Sequence, residues 1–470
     1  MTQQGVRWTT DQVLALAPDA SSQRAGSRLG GAGPWSETGS SAEGAVWGLC
    51  KGSGSKPYQT IVDTGGTGPA YKCSCPSRKF PCKHALGLLL LWAADDTHVP
   101  PERTPPEWTE QWLESRRKRA QPKQPAASPA SASATSTTNQ EAARRRAERR
   151  TQRITTGATE LEQRLTDLLR GGLAQAEQAG YGLWEETAAR MVDAQAPGLA
   201  ARVRELGAIP ASGPGWPMRL LEECALLHLL TRAWLHRTAL PEDLATTVRT
   251  RTGLAATPTA TPLRDRWLVL SQYDTADGHL TTRRIWLHGE KTDHTALLLS
   301  FGAAGRAPAL ALPTGLTLDA ELTPHPGAGT LRADLTTTHQ TPLTEPEPTP
   351  HPERPAHPEE PAHPEGTTIP QALAAYGRAL TADPWLESRP VTLRNVIPTR
   401  TSPNHTWHLT DAAGTSSLPV PARTSSPPDL WRLMALSGGA PLTVFGECGH
   451  KGFTPLSAWT QESPRVIPLH

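Results

Sequence analysis

The chain has 470 residues with 47 Lys or Arg against 45 Asp or Glu, and this net charge of +2 excludes a uniformly basic, polyanion-binding surface. Apolar residues make up 37%, below the ~45–50% (a figure that counts Gly) of an average globular domain, while Pro reaches 46 and Gly 39. That balance excludes one large core and predicts about three or four modest modules on Pro- and Ala-rich linkers.

The bias toward Arg over Lys, with Phe and Met at 4 each, points to a GC-rich bacterial genome and carries no functional message. Residues 1–20 are polar and interrupted, unlike a secretory leader. The longest apolar stretch, Ala85 to Ala94, is about half the ~20 residues that a membrane span needs. A soluble, cytoplasmic protein with no membrane partner is therefore expected. In a reducing compartment, 6 cysteines are too few for a disulfide scaffold. Cys73, Cys75 and Cys82 instead suggest a metal set.

In chain order, residues 1–114 form a first module. A helix is predicted at Thr9–Ala17, with Thr10 as its N-cap and Pro18 beyond its end. A Gly- and Ser-rich segment runs to residue 44. Three short strands follow at Ala45–Cys50, Tyr58–Asp63 and Ala70–Cys73, separated by Gly-rich turns, as an antiparallel meander. Ala85–Ala94, apolar on nearly every side, predicts a buried helix. Residues 115–154 form a basic Pro/Ala/Ser-rich linker, whose tract up to residue 150 cannot bury enough apolar surface to offset the entropy of ordering it. Between Arg116 and Arg153 lie 11 basic residues and 2 acidic ones, a local charge of 11 − 2 = +9.

Residues 155–261 predict a helical region, with Leu161, Leu165, Leu168 and Leu169, and later Leu220, Cys224, Leu227 and His228, at helical spacing. Residues 262–342 alternate in short runs and predict a β-rich module turning at Asp277-Gly278. A second linker, 343–366, contains His351, His357 and His363, which are read as part of a charged spacer. Residues 367–470 form a C-terminal α+β module. It has helices at Ile369–Leu380 and Pro428–Ala435, and strands at Val391–Ile397, Thr406–Leu409 and Pro441–Phe445. The expected fold class is thus α+β and multidomain.

The segment Cys73-Ser-Cys75-Pro-Ser-Arg-Lys-Phe-Pro-Cys82-Lys-His84 has the form C-x-C-x6-C-x-H. Two cysteines two apart at the end of a strand project from one face, so their sulfurs can converge on one ion. Pro76 and Pro81 stiffen the loop and reduce the entropy lost on closure. Residues i and i+2 of a helix point almost oppositely, so Cys82 must precede the first full turn if it shares an ion with His84. Three thiolates and a neutral imidazole around Zn²⁺ give a site of net charge −1, which Lys72, Arg78, Lys79 and Lys83 can offset. All four positions are filled by protein, which predicts one structural zinc with no place for catalytic water.

Over residues 40–95 the sequence resembles SWIM-type zinc fingers, defined by C-x-C, a variable gap and C-x-H. Trp47-Gly-Leu-Cys50, Pro57-Tyr58 and the Leu-rich stretch after His84 agree with bacterial members. The resemblance implies a small ββα zinc fold that binds DNA or proteins. It also implies a partner such as an AAA+ ATPase or a von Willebrand-type domain system, since similar bacterial proteins share operons with these.

Cys50 is read as a buried strand residue, Cys224 as core, and Cys448-Gly449-His450 as a hairpin turn. No phosphate-cradling Gly loop, metalloprotease helix or nucleophile elbow is present. A non-enzymatic binding protein is expected, either a protein–protein adaptor or a DNA-binding factor. The alternative is an enzyme with an unrecognised site in residues 262–470.

Overall fold

A computed structural model describes Trp8 to Leu469 apart from residues 15, 18–19, 53–55, 66–68, 78, 80, 95–96, 102, 121–131, 255–259, 278–279, 304–307, 309, 328–330, 340–363, 402–405, 422–426 and 461–462. The N-terminal unit comprises α1 (Thr10–Leu14), α2 (Ala20–Ser27), β1 (Trp35–Ser40), β2 (Ala45–Cys50), β3 (Tyr58–Asp63), β4 (Ala70–Cys73), α3 (Lys83–Ala94) and α4 (Glu107–Ala120). The strands β2, β3 and β4 fall where the sequence places them, bounded by turn residues. Thr9, not Thr10, caps α1. Its Oγ1 accepts from the Gln12 backbone N–H at 3.2 Å, and the Gln12 side chain accepts from the Thr9 N–H at 2.8 Å. This reciprocal pair needs a Gln three residues after the cap, which only Thr9 has.

The four strands form an antiparallel sheet in the order β1-β2-β3-β4. Alternation along β2 divides its side chains between two partners. Val46, with Val62 of β3, packs into the cluster around α3, while Ala45 and Trp47 meet Leu113, Trp108 and Trp112 of α4. Helix α3 is buried from His84 to Trp92 because the sheet, α1 and α2 surround it. β1, α2 and α4 are additions to the sequence reading. β1 is low in apolar residues and exists as a strand through its pairing with β2.

The middle region consists of α5 (Ala132–Gly171), α6 (Ala174–Asp193), α7 (Pro197–Ala208), α8 (Trp216–Leu235) and α9 (Glu242–Thr252). Helix thus begins within the segment read as linker. Residues 141–153 are mostly exposed, and burial starts at Ile154. A composition poor in apolar residues argues against a core but not against a solvated helix rich in Ala and Arg. Pairs between Arg144 and Glu148 (3.0 Å) and between Arg145 and Glu141 (3.9 Å) support it at i, i+4 spacing. Leu161, Leu165, Leu220, Cys224 and Leu227 enter one core with Trp184, Met191 and Trp234.

A five-stranded antiparallel sheet contains β5 (Leu263–Asp277), β6 (Leu280–Gly289), β7 (Thr295–Ala303), β8 (Thr317–Pro324) and β9 (Ala333–Thr338), in the order β7-β6-β5-β8-β9. Then come α10 (Ile369–Ala382), β10 (Ser388–Arg400), β11 (Trp407–Asp411), β12 (Ser417–Val420), α11 (Pro427–Ser437), β13 (Leu442–Gly449), β14 (Gly452–Thr460) and β15 (Ser463–Pro468). These strands form a six-stranded sheet ordered β12-β11-β10-β13-β14-β15. Cys448-Gly449-His450 leads into the β13–β14 turn, as expected.

The units interlock. Leu268, Leu270 and Trp286 of one sheet share a cluster with Phe445, Leu456 and Trp459 of the other. The Ser457 hydroxyl donates to the Leu270 carbonyl at 2.7 Å. Trp385 enters the helical core, its Nε1–H donating to the Leu226 carbonyl at 2.9 Å. Ala311 packs into the core of the N-terminal unit.

Candidate metal centre

Cys73 is the last residue of β4, opposite Thr60 of β3, and Cys75 follows two residues on. Cys82 stands immediately before α3. Its carbonyl accepts from the Leu86 N–H at 3.1 Å, so the backbone is only entering the helix there. His84 lies in the first turn. This entry geometry allows Cys82 and His84 to face one point although they are only two apart.

The four ligand atoms lie within 4.8 Å of one another. Cys73 Sγ is 3.7 Å from His84 Nδ1, and Cys82 Sγ is 4.0 Å from the same nitrogen. Tetrahedral zinc, with bonds of about 2.3 Å to sulfur and about 2.0–2.1 Å to nitrogen, sets ligand–ligand separations of roughly 3.5–3.8 Å. The residues present fit the ion, with Nδ1 as the imidazole donor. Cys82 and His84 are buried and the other two cysteines half-buried. Cys73, Cys75, Cys82 and His84 are therefore positioned to bind one zinc.

Two residues not anticipated from the sequence orient the set. The Tyr58 ring lies 4.8 Å from the His84 ring, tilted by 38°. Thr60 Oγ1 is 3.3 Å from Cys73 Sγ and can donate to its thiolate. Both stand on β3, two residues apart and hence on one face, beside the strand that delivers Cys73. Their alternation is legible, but the β3–β4 register that makes it useful is not.

The hydrogen bond from Cys82, supported by His84 and Thr60, holds the Cys73 thiol down at about 4. Donating that bond, together with burial, pushes Cys82 up, and burial pushes Cys75 up. The protein alone thus concentrates one negative charge on Cys73. Cys50 stands outside the ligand group; burial, with the charge of Cys73 and Cys75 added, raises its thiol to about 11. Cys224 is core, as expected, and burial raises it to about 11. Lys79 Nζ donates to Ser21 Oγ at 3.3 Å, so this loop cation is tied to α2. Arg78 and the histidines 351, 357 and 363 lie outside the described residues.

Comparison with protein families matches residues 68–93 to the SWIM zinc finger. The chain carries a SWIM zinc finger. Residues 149–252 match the SWIM-associated four-helix bundle domain, which covers the end of α5 through α9. The boundary at 149 agrees with the helix that continues through the segment read as linker. No curated protein and no solved structure matches the chain. Around the SWIM finger the protein supplies both faces of the sheet and the helices that wall in α3. No helix among the described residues is long and apolar enough to cross a membrane.

Proposed function

We propose that the protein is a zinc-stabilised, non-enzymatic adaptor whose protein partner docks on the outer face of α8. The observation that carries this reading is an apolar stripe. Met218, Leu221, Ala225 and Leu229 recur at i, i+3, i+7 and i+11, on the side opposite Leu220, Cys224, Leu227 and Trp234, which fill the core. Met218 is 63% exposed, Leu221 43% and Leu229 45%. A helix within a bundle needs one apolar face; a second one, left in solvent, marks an interaction surface. The fully protein-filled ligand set supports a structural role for the metal.

The DNA-binding reading draws on the +9 segment. Several of its cations already have partners. Arg116 pairs with Asp63 at 2.8 Å and Arg117 with Glu110 at 3.7 Å. Arg144 and Arg145 pair within α5, and Arg150 donates to the Gly253 carbonyl at 3.1 Å. Asp63 and Glu110 offset two of these charges and lower the segment from +9 to about +7, while Arg150 keeps its charge, so the adaptor reading is preferred on the apolar stripe of α8 and not on a loss of basic field.

The test is affinity capture from native cells, with and without nuclease, of wild type and of a Leu221→Glu, Leu229→Glu double variant. The expected partner survives nuclease and is lost with the double variant; an AAA+ ATPase or von Willebrand-type protein would fit the resemblance. Association that disappears with nuclease would overturn the reading. So would DNA affinity that falls steeply across ~50–200 mM salt and is lost on neutralising Arg146, Arg149 and Arg153.

A further inference from the structure

The helical bundle and the two C-terminal sheets meet around a cleft of about 1080 Å³. Clefts between domains, at or above roughly 300–1,000 Å³, are where small molecules commonly bind. One wall comes from α7 and α9, another from β10, β13 and β14, and the third from the face of β5, β6 and β7 that packs in part against the six-stranded sheet.

The charges on this lining divide into satisfied and unsatisfied. Asp274 receives Arg283 at 2.7 Å, and Asp383 receives Arg251. Glu205 and Glu387 share Arg202, at 3.3 and 2.8 Å. Glu447 accepts from the Tyr273 hydroxyl (2.6 Å), the Trp286 Nε1–H (3.1 Å) and the Ser388 hydroxyl (2.8 Å). Asp429 is also engaged. Three half-buried arginines of the lining have no carboxylate partner among the described residues: Arg389 of β10 and, beside β7, Arg284 and Arg332.

Strand register places Arg284 and Arg332 relative to each other. Arg284 of β6 stands opposite Leu299 of β7, and Trp286 opposite Leu297. Arg332 bridges Leu297 from the other side of β7. The two arginines therefore flank β7, with backbones about 12 Å apart given a strand spacing of roughly 4.8 Å and an offset of two residues at about 3.4 Å each. The side chains of Leu297 and Leu299 share the cleft face between them. An apolar floor edged by two unpaired guanidinium forks recognises an acid with a hydrophobic body, since each fork matches phosphate or carboxylate oxygens in pairs.

We propose that this cleft binds a small organic anion, its phosphate or carboxylate groups held by Arg284 and Arg332 and its apolar body resting on Leu297 and Leu299. The site shares no residue with α8's outer face or the zinc ligands, so its failure leaves the adaptor reading standing.

The experiment is isothermal titration of the full-length, zinc-loaded protein with ATP, pyrophosphate, citrate and, as an uncharged control, adenosine. One or more of the anions should bind with one site per chain, and adenosine should not. Binding of ATP or pyrophosphate but not citrate assigns the phosphate class; the reverse assigns the carboxylate class. The Arg284→Gln, Arg332→Gln double variant should lose about tenfold or more in affinity. Arg146→Gln, on the exposed part of α5, should lose nothing. If the double variant does not fold, Arg332→Lys keeps the charge, removes the fork and should still weaken binding. Absence of binding by all three anions into the millimolar range, or equal affinity of wild type and the folded Arg284 and Arg332 variants, overturns the proposal.

Discussion

At the metal centre, proton balance links individual residues to the stability of the finger. Before metal enters, Cys73 is a thiolate well below neutral pH, while Cys75 and Cys82, both pushed up, hold protons. Zinc requires three thiolates and a neutral imidazole, so loading at pH 7 should release about two protons, from Cys75 and Cys82. Affinity should accordingly rise with pH by about two log units per unit near neutrality, and fall as pH drops. Titration in buffers of different ionisation enthalpy measures the count, and zero protons released would contradict it. Cys82→Ser should lose the zinc, and metal loss should make the N-terminal unit protease-sensitive, because the site ties β4 to α3. Full zinc occupancy in a Cys75→Ser, Cys82→Ser double variant would remove the assignment.

At the scale of elements, faces and crossings decide the outcome. A Cβ on Gly87 of α3 would stand 2.5 Å from Leu29 Cβ and 3.0 Å from the Leu29 carbonyl oxygen. Gly→Ala inside a helix gains up to about 1 kcal/mol in propensity, whereas overpacking against backbone costs about 1–3 kcal/mol. The overlap wins here because the obstacle includes main chain, so Gly87→Ala should lower the melting temperature of the N-terminal unit. On α8 the two faces should respond oppositely. Leu227→Ala, in the core, should cost about 2–5 kcal/mol, while Leu221→Glu should stay within about 0.5 kcal/mol in denaturant unfolding. Equal losses at both positions would place Leu221 in a core and remove the docking surface.

Over the whole molecule, the segments of least apolar composition do not separate independent beads. Trp385 reaches from the α10–β10 connection into the helical core, and Arg202 and Arg251 tie the bundle to Glu387 and Asp383. Trp385→Ala should cost about 3–5 kcal/mol through the cavity it leaves. The same change should separate the unfolding of the bundle from that of the six-stranded sheet, seen as two calorimetric transitions where wild type has one. A single unshifted transition would show that the tryptophan does not couple them. In wild type, composition predicts first proteolytic cuts within 345–366.

By itself the sequence determined the zinc ligands, because all four lie within twelve consecutive positions and their spacing fixes the geometry that strand and helix entry allow. It likewise determined β2, β3 and β4, bounded by turn residues, and most of the buried faces of α5 and α8, where apolar residues keep the helical period, although Leu169 and His228 of the same periodic sets lie exposed. The tertiary structure decided what depends on partners distant in sequence. β1 became a strand only by pairing with β2, and Thr60 became a donor to Cys73 only through the β3–β4 register. Leu220 and Leu221 are chemically identical neighbours, yet one is core and the other lies in solvent. Periodicity reports which side of an element is apolar, not whether another element covers it. The same limit applies to charge: Arg251 finds Asp383 across 132 positions while Arg284 has no carboxylate partner among the described residues, and local spacing carries no record of either.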